Sequence, residues 1–131
     1  MRSEVELRLP PEPIAPILAR AAVTAIGSGL PGSVVSDAEL LTSEVVSNAV
    51  KHAAFGPSQE IVLRVVRDEH VRVEVTDPAP PFEADLRQPS SGTSGWGLFL
   101  VEAIATSWVV EPEGAGKKVW FELGAGLDRP T

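Results

Sequence analysis

Glu44, Asn48 and Lys51 lie within LLTSEVVSNAVKHA, residues 40–53. Spacings of four and then three residues place a carboxylate, a carboxamide and an ammonium on one face of a helix. Together these groups can handle a divalent cation and phosphate. Alone, the pattern is also that of an ordinary solvated helix face. Asp77 closes the alternating segment VRVEVTD, residues 71–77, and Pro78, Pro80 and Pro81 follow it. A carboxylate at a strand end can accept hydrogen bonds from a ligand or simply form a turn. A third segment, SSGTSGWGL at residues 90–98, is rich in small residues and runs into an apolar stretch. Its backbone N–H groups and the helix start suit an anion such as a phosphate. Taken by itself it is an ordinary glycine-rich connection.

The elements that must position these residues follow from periodicity. Leu41, Val45, Ala49 and Ala53 form an apolar stripe at helical spacing, with Val46 and Val50 beside it. Ser36 or Asp37 is the expected cap of that helix. Before it, EVELRL at residues 4–9 alternates as a strand, and Pro10, Pro11, Pro13 and Pro16 then break the chain. Pro16 suits the first turn of a helix running to about Ile26, ahead of Gly27 and Gly29. Strands are expected at 61–66, at 71–77, at Trp108–Val110 and at 119–123, with a helix from Leu98 to about Ala105. Residues 124–131 read as a frayed tail. This order gives an α/β two-layer sandwich, a mixed, mostly antiparallel sheet with helices on one face.

Composition narrows the function. A chain of 131 residues is one domain with a real core, about residues 3–123. A formal charge of −7 disfavours a nucleic-acid groove, which needs clustered lysine and arginine, and suits a partner with a basic surface. The absence of cysteine rules out a disulfide framework, a thiol nucleophile and a thiolate metal site. His52 and His70 do not make a metal cluster. No apolar run reaches membrane-spanning length and no signal-peptide core is present, so a cytoplasmic protein is expected.

In order and spacing, the three segments resemble the Bergerat-fold ATPases, the gyrase–Hsp90–histidine-kinase–MutL type. The helix carrying Glu44, Asn48, Lys51 and His52 looks like the N box, Asp77 like the adenine-reading aspartate of the G1 box, and Gly95-Trp96-Gly97-Leu98 like the G2 box. Within that superfamily the chain is most similar to the small anti-sigma-factor serine/threonine kinases of Gram-positive bacteria. The features that carry this likeness are a short chain, glutamate at position 44, a short segment between Asp77 and Gly95, and the closing strand VWFEL at 119–123.

The resemblance implies a role for each residue. Asn48 would ligate Mg²⁺, which bridges the phosphates of ATP. Glu44 would act as general base or orient the attacking hydroxyl, the alternative being a salt bridge with Lys51 or His52. Lys51 would steady a phosphate, and Asp77 would accept the exocyclic amine of adenine. Gly95 and Gly97, with Trp96 and Leu98, would close around the phosphates. Two departures stand against full activity. The glycines that usually follow the G1 aspartate are replaced by the run Pro78-Ala79-Pro80-Pro81, and Lys117-Lys118 stands where the family often places threonine near adenine. Proline stiffens the backbone past the nucleotide. The two lysines could face solvent, a phosphate or a partner.

The implied function is that of a transcription regulator. An anti-sigma protein kinase would bind ATP and Mg²⁺, phosphorylate a STAS-type anti-anti-sigma partner and sequester a sigma factor. The alternative is a binding module with a degenerate nucleotide site and no transfer. The family suggests a homodimer, although no sequence feature requires one.

Overall fold

A computed structural model describes residues 2–52, 55–56, 59–79 and 96–124, with only the backbone described for His52 and residues 96–99. The elements run β1 (Ser3–Leu9), α1 (Ala15–Ile26), α2 (Gly32–His52), β2 (Ile61–Arg67), β3 (His70–Asp77), α3 (Trp96–Ile104), β4 (Ser107–Glu113) and β5 (Gly116–Gly124). The strands form one sheet in the order β1-β2-β3-β5-β4, and every pairing is antiparallel. The two-layer architecture is the expected one, and its described sheet is antiparallel throughout.

Alternation fixes which face of the sheet is covered. Leu9, Ile61, Leu63, Val65, Val71, Val73, Val75, Val119, Phe121 and Leu123 are buried and share a core with the helices. Cross-strand pairs such as Leu63 with Val75 and Val73 with Phe121 keep these side chains on one side. The opposite face carries charge: Arg64, Arg72 and Lys118 all approach Glu74. The Arg72 guanidinium also lies 4.0 Å from the centre of the Trp120 ring.

The helices supply the other layer. In α1, Ala15, Ala19 and Val23 face inward at four-residue spacing, and Pro16 lies in the first turn. Its C-terminal end is tied to β2, because the Arg67 guanidinium donates to the Ile26 carbonyl at 3.1 Å and to the Ser28 carbonyl. Helix α2 starts earlier than its expected caps, at Gly32, so Ser36 and Asp37 lie inside it. The reason is burial: Val34 and Ala38, both fully enclosed, carry the apolar stripe back from Leu41, and the Pro31 carbonyl accepts the first N–H groups, those of Val34 and Val35. Gly124, expected to begin the tail, instead pairs with His70 as the end of β5. The remaining tail, residues 125–131, lies outside the described residues.

Candidate functional site

Helix α2 presents the first group of residues. Its buried stripe is Val34, Ala38, Leu41, Val45 and Ala49, flanked by Thr42 and Val46. Glu44 and Asn48 are half-buried on one flank of that stripe, and Lys51, near the helix end, is exposed. Helical spacing thus keeps all three on one side, as the sequence predicts. Among the described residues no ion pair joins Glu44 to Lys51, which leaves the carboxylate unclaimed by that lysine. Thr42 is fully buried and its hydroxyl finds no hydrogen-bond partner among the described residues.

Asp77 ends β3 on the helix-facing side of the sheet, in the same alternation as Val71, Val73 and Val75. Its side chain is 3% exposed. The Ala79 backbone N–H donates to its Oδ1 at 2.7 Å, so Asp77 also organises the turn into Pro78 and Ala79. The Lys117 ammonium lies 3.1 Å from both Oδ1 and Oδ2. Asp77 and Lys117 are register partners across β3 and β5, so the fold sets the ion pair. Sequence reading left the direction of Lys117 open. The available signal was parity, because Lys117 falls on the inward stripe with Val119, Phe121 and Leu123. Lys118 falls on the other face, between Glu74 and Glu113.

Gly116 makes this approach of strands feasible. A Cβ there would stand 2.0 Å from the Asp77 carbonyl oxygen and 2.8 Å from the Pro78 Cα, distances no side chain can occupy. A cleft of about 260 Å³ opens at this end of the sheet, lined by Asp77, Gly116, Thr76, Pro78 and Glu113 among others. None of Glu44, Asn48 and Lys51 lines it.

The third segment is described in part. Trp96, Gly97 and Leu98 form the first turn of α3, two residues earlier than the expected helix start at Leu98. That helix packs against α2. Gly95, Gly92, Pro80 and Pro81 lie outside the described residues.

These residues suit a magnesium nucleotide in their donor chemistry. A carboxylate offers about four lone-pair sites; the Ala79 and Lys117 hydrogen bonds on Asp77 both fall on Oδ1, and Oδ2 meets the ammonium at ion-pair distance. Oδ2 therefore keeps acceptor capacity for an amine. Magnesium commonly takes one or two protein oxygens and completes its shell with phosphate and water, so one carboxamide oxygen from Asn48 is an adequate anchor.

A sequence profile of the histidine kinase-like ATPase domain matches residues 9–123. The chain belongs to this family. The match spans every element from the end of β1 into β5, and so includes all the motif residues above. Among histidine kinase-like ATPase relatives, the serine-protein kinase RsbW of Listeria monocytogenes is 28% identical over 120 residues, covering 79% of this chain and 76% of the kinase. An uncharacterized protein of Streptomyces coelicolor, SCO4941, is 35% identical over 82 residues, covering 61% of this chain and 78% of that protein. The solved structure of the RsbU and RsbW domains of Rv1364c from Mycobacterium tuberculosis superposes with a TM-score of 0.71 at 21% identity. It covers 93% of this chain, which spans 32% of the Mycobacterium chain, and the likeness is one of fold. No described helix is long and apolar enough to cross a membrane.

Proposed function

We propose that this chain is a cytoplasmic, single-domain anti-sigma regulator that binds ATP with Mg²⁺. It transfers the γ-phosphoryl group to a serine or threonine of a STAS-type anti-anti-sigma partner, and it sequesters a sigma factor. The observation that carries the reading is Asp77: a buried carboxylate at the end of β3, with acceptor capacity left on Oδ2, in a chain of the histidine kinase-like ATPase family.

Each residue then has a defined task. Bound ATP and Mg²⁺ supply the phosphoryl group and neutralise its charge. Asp77 accepts the adenine amine. Asn48 offers its carboxamide oxygen to the ion, and Lys51 meets a phosphate as a point charge. Glu44 orients the acceptor hydroxyl and takes its proton; positioning and charge neutralisation dominate such transfers. The backbone N–H groups at the start of α3 would meet the phosphates, the role that the family likeness gives to this segment. A phosphorylated partner gains roughly −1.5 to −2 charges, and a chain of net charge −7 repels it, which favours release after transfer.

A second reading, a partner-binding module without transfer, draws on one specific feature: Lys117 already neutralises Asp77. Calorimetric titration with ATP, with and without Mg²⁺, followed by a transfer assay on candidate anti-anti-sigma domains, separates the two. Binding in the micromolar-to-millimolar range, about −8 to −4 kcal/mol, together with slow transfer, supports the kinase. An absence of ATP binding at millimolar nucleotide supports the module.

A further inference from the structure

Lys117 occupies an inward position of β5, where a lysine loses side-chain freedom and hydration and needs a strong partner. Asp77 provides that partner. The ammonium carries three N–H donors; one is hydrogen-bonded to Oδ1 at 3.1 Å, and Oδ2 lies at the same distance in the ion pair. Among the described residues no acceptor other than this carboxylate meets the ammonium. The pair therefore offers an acceptor, Oδ2 of Asp77, directly beside a donor, a spare N–H of Lys117. The edge of adenine is the complement of this: an amine donor on C6 next to the acceptor N1.

We propose that Lys117 is a second base-reading residue, donating to adenine N1 while Asp77 accepts the C6 amine. The proposal rests on the ATP reading above and assigns a role to a residue for which neutralising Asp77 would otherwise be the whole explanation. In the same seat guanine would set its C6 carbonyl oxygen against the carboxylate and its N1–H against the ammonium. Both contacts repel, so Lys117 adds a penalty against the wrong base as well as a bond to the right one.

The test is calorimetry of the full chain with ATP and with 1-deaza-ATP, in which N1 is replaced by C–H. Wild type should bind ATP roughly tenfold or more tightly than 1-deaza-ATP, the size of a hydrogen bond from a charged donor. In Lys117→Met the ratio should fall to about one, whatever the change in overall affinity. Lys117→Gln keeps an N–H donor at similar reach, and its ratio should exceed that of Lys117→Met. A purely neutralising lysine would alter overall affinity and stability but leave the ratio unchanged. Equal binding of both nucleotides by wild type, or a wild-type ratio in Lys117→Met, overturns the proposal while leaving ATP binding intact. Failure of wild type to bind ATP at all overturns the parent reading and this one with it. Should Lys117→Met not fold, the wild-type and Lys117→Gln ratios decide alone.

Discussion

Replacing Asp77 with asparagine changes little in volume and much in hydrogen bonding. The asparagine oxygen can keep the Ala79 N–H, now at 2.7 Å, so the turn after β3 has no reason to open. The other terminal atom becomes an NH₂ group facing the Lys117 ammonium, donor against donor, in place of the 3.1 Å contact with Oδ2, while the contact at Oδ1 can persist without its charge. Removing one member of a fully buried pair costs about 3–5 kcal/mol. Lys117 retains 17% exposure, so its head can turn toward water, and a loss of about 2 kcal/mol is the expected stability change. Nucleotide binding suffers separately. A charge-assisted hydrogen bond to the base contributes about 1.5–3 kcal/mol, so affinity for ATP should fall roughly ten- to a hundredfold. Denaturant unfolding measures the first effect, and calorimetry with ATP and GTP, under conditions where both proteins are folded, measures the second. Wild type should prefer ATP, and the variant should largely lose that preference. Equal affinities in all four pairings would refute the assignment of Asp77 as a base reader.

The remaining predictions address metal, backbone and pH. Asn48→Ala should weaken Mg²⁺-dependent ATP binding about tenfold by removing a protein ligand, whereas Glu44→Ala should leave binding nearly unchanged and slow transfer about a hundredfold; equal loss of binding in both, with circular dichroism unchanged, contradicts this division of labour. Gly116→Ala places a Cβ against the Asp77 carbonyl, so it should cost about 1–3 kcal/mol in denaturant unfolding and abolish ATP binding; a fully stable variant would show that β5 can shift freely. The Asp68 carboxylate accepts the His70 N–H at 2.9 Å, and that backbone bond holds its carboxyl below the ordinary range. A depressed folded-state value gives stability that is present above the unfolded value near about 4 and lost as pH falls through the folded one. The stability gap between wild type and Asp68→Asn should therefore narrow between pH 6 and pH 3, and a constant gap would exclude the charge as its source.

Most element positions were legible because their periods are unmixed. β1, β2 and β3 are placed to within a residue at either end, since apolar residues alternate in β1 and β3 and form a short β-branched run in β2. The start of α2 was not, because Gly32 and Ser33 continue a glycine- and proline-containing linker, and only the burial of Val34 shows that the helix has begun. β4 extends beyond the expected Trp108–Val110 through Pro112. Proline argues against an interior strand, but β4 is at the edge of the sheet, where one missing N–H leaves the fold intact.

The site divides along the same line. Glu44, Asn48 and Lys51 share a helix, so their common face follows from spacing alone. The Asp77–Lys117 pair joins residues 40 apart, and their meeting depends on β5 inserting beside β3 rather than beside its sequence neighbours alone. Once that pairing is known, parity does the rest: Val119 opposite Val75 dictates Lys117 opposite Asp77, two residues further along both strands. A lysine and an aspartate on the inward stripes of adjacent strands have to meet or leave two charges buried apart, and burial without pairing is the costlier outcome. Lys117 therefore acts on the aspartate as well as on any ligand. Whatever base occupies this end of the sheet must bind a carboxylate already in partnership, by displacing the lysine or by engaging it. The 3.1 Å contacts and the spare ammonium donor capacity favour engagement, because displacement would return the lysine to water and leave Asp77 with the Ala79 N–H and the ligand alone.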